Sequence, residues 1–220
     1  MKKTRFSLLI AAVALAVTSC DSLKSAFTPT KMDTIEATTK VADAIKKNID
    51  FKEWKIYKIY WMEGESLEND LFSVHLEMIN KSNGCFTQSL ILGGQTAGTV
   101  TDLRDASGSG VKDRKFDEIK GITPEMINAE TIQKQYDAAK AAIPEEYEFR
   151  SIGSYTIAEA VTSGSSFLDR DKKLGEISCE FEINVIEPGK EYVESAGKKS
   201  LQYYQVDFKA FADGTVEMDE

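Results

Sequence analysis

Hydrophobic and polar positions change period several times along the chain, and each change marks an element. From Phe6 to Val17 the residues are almost all apolar. From Asp33 the apolar positions take helical spacing. Ile35, Thr38, Val41, Ala42, Ile45 and Ile49 share one face, and Lys40, Lys46 and Lys47 lie towards the polar one. Asp33 reads as the N-cap, Glu36 completes a capping box, and the helix ends near Asn48. The period then falls to two. Residues 54–62 are dense in aromatic and β-branched side chains and read as a strand, with Tyr57, Ile59 and Trp61 on one face. Residues 71–79 form a second strand. Phe72, Val74, Leu76 and Met78 face one way; Ser73, His75 and Glu77 face the other. Asn83-Gly84 supplies the turn into a third strand at residues 86–92, and residues 99–103 are a short fourth. Residues 104–122, charged and rich in Gly and Ser, read as a linker or mobile loop. Thr123-Pro124-Glu125 opens a second helix, interrupted around Asn128 and ended by Pro144, with Ile132, Tyr136, Ala139 and Ile143 on one face. Strands follow at residues 147–158, 176–186 and 200–212, with a short one at 215–218.

The order helix, strand, strand, strand therefore occurs twice. Ile49, Trp54, Ile56 and Ile59 find counterparts in Ile143, Tyr147, Phe149 and Ile152, and the run Phe72–Met78 echoes Ile177–Ile183. An antiparallel sheet with one apolar face needs a helix laid across it, and each half supplies both parts. The fold class expected is α+β: two similar halves, at residues 33–103 and 123–220, each a helix followed by an antiparallel meander of three to four strands. The halves either stand as two modules or join edge to edge into one sheet, which would hide two exposed edges. At the level of fold this arrangement resembles tandem helix-plus-meander proteins of the cystatin-like or β-lactamase-inhibitor-like kind; fold alone does not fix function.

The N-terminus carries a different message. Lys2, Lys3 and Arg5 precede the apolar run, which is too short for a stable span, and two small residues and a cysteine follow it. The stretch Val17-Thr18-Ser19-Cys20 resembles the lipobox of bacterial lipoproteins. The resemblance implies that residues 1–19 are a cleaved signal, that the Cys20 sulfur is the lipid attachment point, and that residues 20–32 tether the body to a membrane of the cell envelope. Asp21 follows the cysteine, a sorting feature whose meaning differs between lineages, so the membrane and its face stay open.

Charge narrows the partners. The chain has 27 Lys and Arg against 36 Asp and Glu, a formal −9, and loss of the signal makes it more negative still. Such a surface repels nucleic acid and anionic head groups, so the membrane is reached through lipid. Two cysteines remain in a disulfide-permissive compartment, Cys85 and Cys179; they either pair or sit apart as small core residues. With one histidine they cannot furnish a typical structural zinc site, and no cofactor motif is present.

Catalytic signatures are missing from the sequence. His75 lies on a polar strand face with Glu77 two positions along, about 7 Å away, and no evident nucleophile. The charged run from Asp169 resembles a calcium loop only in part. Its glycine comes one place late and Lys173 occupies a ligand position, although Glu180 stands at the twelfth, so a hairpin turn is the simpler reading. Gly108-Ser-Gly110 is neither a P-loop nor a dinucleotide fingerprint. Aromatic residues on both faces of the first strand leave Tyr57, Trp61 and, on a later strand, Tyr203 as candidates for a partner interface. The function expected is that of a lipid-anchored envelope protein, a non-enzymatic binding or assembly module for another envelope protein or a glycan. The alternatives are a carrier or sensor of a small hydrophobic or glycan ligand, and an enzyme of unrecognised type.

Overall fold

The structure, a computed structural model, describes residues 29–108, 111, 113–195 and 198–219. Cys20, the signal and most of the tether lie outside the described residues.

The fold is α+β, and the two halves share one sheet. In chain order the elements are α1 (Ile35–Asn48), β1 (Trp54–Glu63), β2 (Leu71–Asn80), β3 (Cys85–Ile91), β4 (Arg104–Asp105), α2 (Ala129–Ala142), β5 (Glu148–Glu159), β6 (Ile177–Ile186), β7 (Tyr192–Ser195), β8 (Lys198–Leu201), β9 (Tyr204–Ala210) and β10 (Val216–Met218). Eight strands form a sheet in the order β10-β9-β6-β5-β1-β2-β3-β4, and β7-β8 is a separate hairpin. The seam is the antiparallel pair β1–β5, with Lys58 opposite Ala158, Tyr60 opposite Thr156 and Met62 opposite Ser154. A pseudo-two-fold through Tyr60 and Thr156 exchanges the halves.

The ladders test the sequence echo strand by strand. Met78 stands opposite Ile56 and Leu76 opposite Ile59, while Ile183 stands opposite Ile152 and Phe181 opposite Tyr155. The match of Phe72–Met78 to Ile177–Ile183 thus agrees with the register. The match along β1 slips, because the counterparts of Ile56 and Ile59 are Ile152 and Tyr155. An additional bulge at Arg150 accounts for one of the three residues of slip, and alternating patterns cannot reveal it. The bulge at Tyr57 does have a counterpart, at Gly153.

Both helices cover one face of the sheet. Val41 and Ile45 of α1 and Ile132, Tyr136 and Ala139 of α2 meet Ile59, Trp61, Val74, Tyr155, Ile157, Phe181 and Phe208 in a continuous core. Trp61 and Tyr155, neighbours across the seam, stack at 4.5 Å and are fully buried. Large aromatic burial of this kind dominates core energetics. Around the seam runs a buried polar net. Glu63 accepts from Ser151 Oγ (2.9 Å), Asn184 Nδ2 (2.8 Å) and the Asn69 amide (2.8 Å). Asn69 passes the net on to Asp33, which pairs with Lys140 of α2 at 2.5 Å. Lys140 and the Asn69 side-chain amide favour the charged carboxylate, and Asp33 stays below the usual range although burial opposes it.

Several local expectations give way to this packing. Asp33 is spent on Lys140, so Thr34 caps α1 by accepting from the Ala37 amide. Thr123-Pro124-Glu125 begins only a 3-10 turn; α2 starts after Asn128, which caps Thr131. The expected strand over residues 200–212 divides into β8 and β9, with β7 preceding it. Residues 99–103 contribute one bridge, Leu90 to Val100. Within residues 104–122, several described residues dock on the sheet. Ala106 bonds Cys85, Ile122 bonds Ile56, and Ile119 and Ile122 are buried. Buried Glu159 fastens this segment by accepting from the amides of Lys120 (2.9 Å) and Gly121 (2.7 Å).

Candidate functional site

The sheet has a second face, away from the helices. Partners in a ladder point the same way, so the register assigns its residues. Lys58, Tyr60, Met62, Ser73, His75, Glu77, Thr87 and Ser89 occupy it in the first half; Ser154, Thr156, Glu180, Glu182, Asp207 and Lys209 occupy it in the second. One end is closed. There Val111, Phe116 and Ile119 pack against Tyr57, Ile79 and Cys85. Elsewhere the face is open, in a groove of about 620 Å³ around His75 and a smaller one of about 290 Å³ around Glu182.

His75 sits between two serines. Ser89 Oγ is 2.7 Å from Nδ1 and Ser73 Oγ is 3.1 Å from Nε2. Each ring nitrogen has a hydroxyl within hydrogen-bond reach, and burial lowers the pKa. The imidazole is therefore positioned on both sides, and burial favours its neutral form. No carboxylate bonds to it among the described residues, so the orienting acid of a hydrolytic triad is not in place. Met62, Phe72 and Ile91 add apolar surface to this groove, and Thr87, Gln88 and Arg104 add polar surface.

The second half carries acids at the matching positions. Glu180 takes the place of His75 and faces Lys209; Glu182 takes that of Glu77 and faces Asp207. Burial and the Asp207 charge raise the pKa of Glu182. Lys209 is drawn off by Asp219 at 2.6 Å.

The aromatic candidates need correction. The bulge at Tyr57 adds a residue and reverses the phase, so Tyr57 faces away from Ile59 and Trp61. Tyr57 is 2 % exposed and Trp61 0 %, which removes both from any partner surface. Tyr203 is half-buried, with its hydroxyl 3.4 Å from Ser66 Oγ. The cysteines do not bridge. Cys85 belongs to the cluster with Tyr57, Ile79 and Ile119 and Cys179 packs towards the helix side, with three strands between β3 and β6. Asp169 is not held for calcium. It accepts from Thr162, Ser163 and Lys172, and these bonds hold its carboxyl far below the usual range. Among the described residues no group of three or more His, Cys, Asp or Glu is placed to bind a metal, and no helix is long and apolar enough to cross a membrane.

No family model fits the chain, and neither a curated protein nor a solved structure is similar to it. Any functional reading therefore rests on the geometry above and on the lipobox-like stretch.

A second opening was invisible to sequence patterns, because it is assembled from segments far apart in the chain. It is a groove of about 890 Å³ between α1 and the turn after β3. Phe72 is shared by this groove and the one around His75. It is the residue that bulges from β2 where Glu63 pairs with Leu71, and it is 37 % exposed. Its ring lies against Gly64 and Gly94, where a side chain would crowd it.

Proposed function

We propose that this protein is a lipid-anchored bacterial envelope protein, held through Cys20, that acts as a non-enzymatic binding or assembly module and offers the open sheet face to a protein partner. The supporting observation is that face itself. An eight-stranded sheet has α1 and α2 on one side, and among the described residues the other side is covered at one end by Val111, Phe116 and Ile119. Glu180, Glu182 and Asp207 crowd like charge onto one half of it, and burial, with the Asp207 charge beside it, raises the pKa of Glu182. A partner with a basic segment would offset that charge, and complementary charge steers association and fixes register. The His75 groove then supplies shape and hydrogen bonds beside it.

The test is site-specific photocrosslinking in cells, with the crosslinker at Thr156 on the open face or at Asp137 on the exposed side of α2. A protein adduct at Thr156 that is lost on reversing Glu180 and Glu182 to Lys, and is absent at Asp137, supports the reading. Equal adducts at both positions, or none at Thr156, overturn it. The anchor is tested separately: Cys20→Ala should release the protein from the membrane fraction, and retention there would refute lipidation.

A further inference from the structure

The groove beside α1 adjoins the His75 groove at Gly64 and Phe72 but has its own chemistry. Its floor is Leu71, Phe72 and Leu92, and Ala44 on α1 and Ala97 on the facing turn narrow it without filling it. On α1, Lys40, Ala44 and Lys47 follow one another at helical spacing, so two ammonium groups flank the apolar slot. Neither lysine belongs to an ion pair among the described residues; Lys40 reaches only Thr30 Oγ1, at 3.4 Å. The β1–β2 loop contributes Glu65 and Glu68, whose carboxylates are also outside the ion pairs, while Asp70 is held by Lys31.

Much of the wall's backbone is bonded within the turn: the amides of Leu92 and Gly93 donate to Phe72, that of Ala97 to Gly94 and that of Gly98 to Ile91. Residues 93–98 are bends and turns rather than an extended edge, so a peptide could not add there as a strand. What remains is an apolar floor, cations from one element and anions from another, in a volume within the range of small-molecule sites of about 300–1,000 Å³. That combination matches an acyl chain with a zwitterionic head.

We infer that this groove binds a single-chain phospholipid whose head carries a phosphate and a primary ammonium. The acyl chain lies on Leu71, Phe72 and Leu92, the phosphate meets Lys40 and Lys47, and the ammonium meets Glu65 and Glu68. Apolar contact supplies the affinity and the charges select the head.

The probe is a lysophosphatidylethanolamine carrying a diazirine in its acyl chain, added to the full chain in phosphatidylcholine nanodiscs, with labelled residues mapped by mass spectrometry. Labelling is expected at Leu71–Phe72 or at residues 92–98. Ala97→Trp, at an exposed turn position, fills the groove and should abolish it. The double variant Lys40→Glu, Lys47→Glu should reduce it about tenfold, while Lys46→Glu on the same helix leaves it unchanged. A diazirine fatty acid lacking the amine should label several-fold less. Labelling that ignores Ala97→Trp, or falls equally with Lys46→Glu and the double variant, overturns the proposal. So does equal labelling by the fatty acid. Crosslinking from Thr156 reads a different surface, so either proposal can fail alone.

Discussion

The two halves of the sheet share one ladder of positions and fill it differently. On the open face the first half places His75 against Ser89 and Glu77 against Thr87. The second places Glu180 against Lys209 and Glu182 against Asp207. One side balances its charge, with Lys58 3.7 Å from Glu77 beside the hydrogen-bonded His75; the other concentrates acid. The same contrast recurs at the ends of the seam strands, where Glu63 and Glu159 are counterparts. Both are buried, and both accept backbone amides with their two carboxylate oxygens. Glu159 stops there. Glu63 also gathers Ser151 and Asn184 and so ties β1 to β5 and β6. The connections diverge as well. A four-residue turn joins β2 to β3, whereas the β7–β8 hairpin intervenes between β6 and β9. The difference shows which parts of a repeat are constrained: the helix-facing core and the bulge beside the seam persist, and the solvent face and the loops are free to diverge.

The sharpest way to break the symmetry is at its axis. Trp61→Ala removes a fully buried ring stacked on Tyr155 and should cost about 3–5 kcal/mol, read as a fall in the urea midpoint. Both halves should then unfold in a single transition at lower denaturant. Two separate transitions would mean that the halves are independent.

The carboxylate pair comes next. Glu63→Ala orphans two amides and two side-chain donors, and Glu159→Ala orphans two amides. Each unsatisfied buried group costs about 1–3 kcal/mol, less where the structure relaxes. Glu63→Ala should therefore be the more damaging by about 1–2 kcal/mol in the same urea experiment. Equal losses would show that the link to Ser151 and Asn184 contributes nothing.

Titration gives a smaller and opposite effect in the two halves. His75 has a lowered pKa in the fold, so as pH falls through about 6.5 the unfolded chain takes up a proton first and stability declines, levelling off below the folded pKa. His75→Gln should flatten that decline in melting temperature. Glu182 has a raised pKa, so as pH falls towards 4.5 the folded chain takes up a proton first and stability rises. Because Glu182 is only half-buried, Glu182→Gln should raise stability at neutral pH by no more than a few tenths of a kcal/mol, with little gain left at low pH. A loss of stability at neutral pH would remove the strain assigned to the acidic half.

Much of this fold was legible because periodicity is local. The first helix, the long strands, the α+β class and the doubled order all follow from side chains a few positions apart. The candidate surface was legible only in outline. His75 and Glu77 belong to the polar face that alternation assigns them, but Tyr57 and Trp61 do not form a partner surface. A bulge shifts phase by one residue and leaves no trace in an alternating pattern, and the aromatic residue on the second side of the strand is covered by Val111, Phe116 and Ile119, remote in sequence.

The amino-acid sequence by itself determined the elements, their amphipathic faces, the acidic balance and the lipobox-like stretch ending at Cys20, because each depends on residue type and short-range spacing. Tertiary structure alone decided that the halves fuse at β1–β5, that Glu63 reaches β6, that Cys85 and Cys179 stay apart, and that Phe72 stands between two grooves. Those outcomes depend on which edges pair and in what register. Register is chosen by burial summed over the whole sheet, a quantity that no single segment carries.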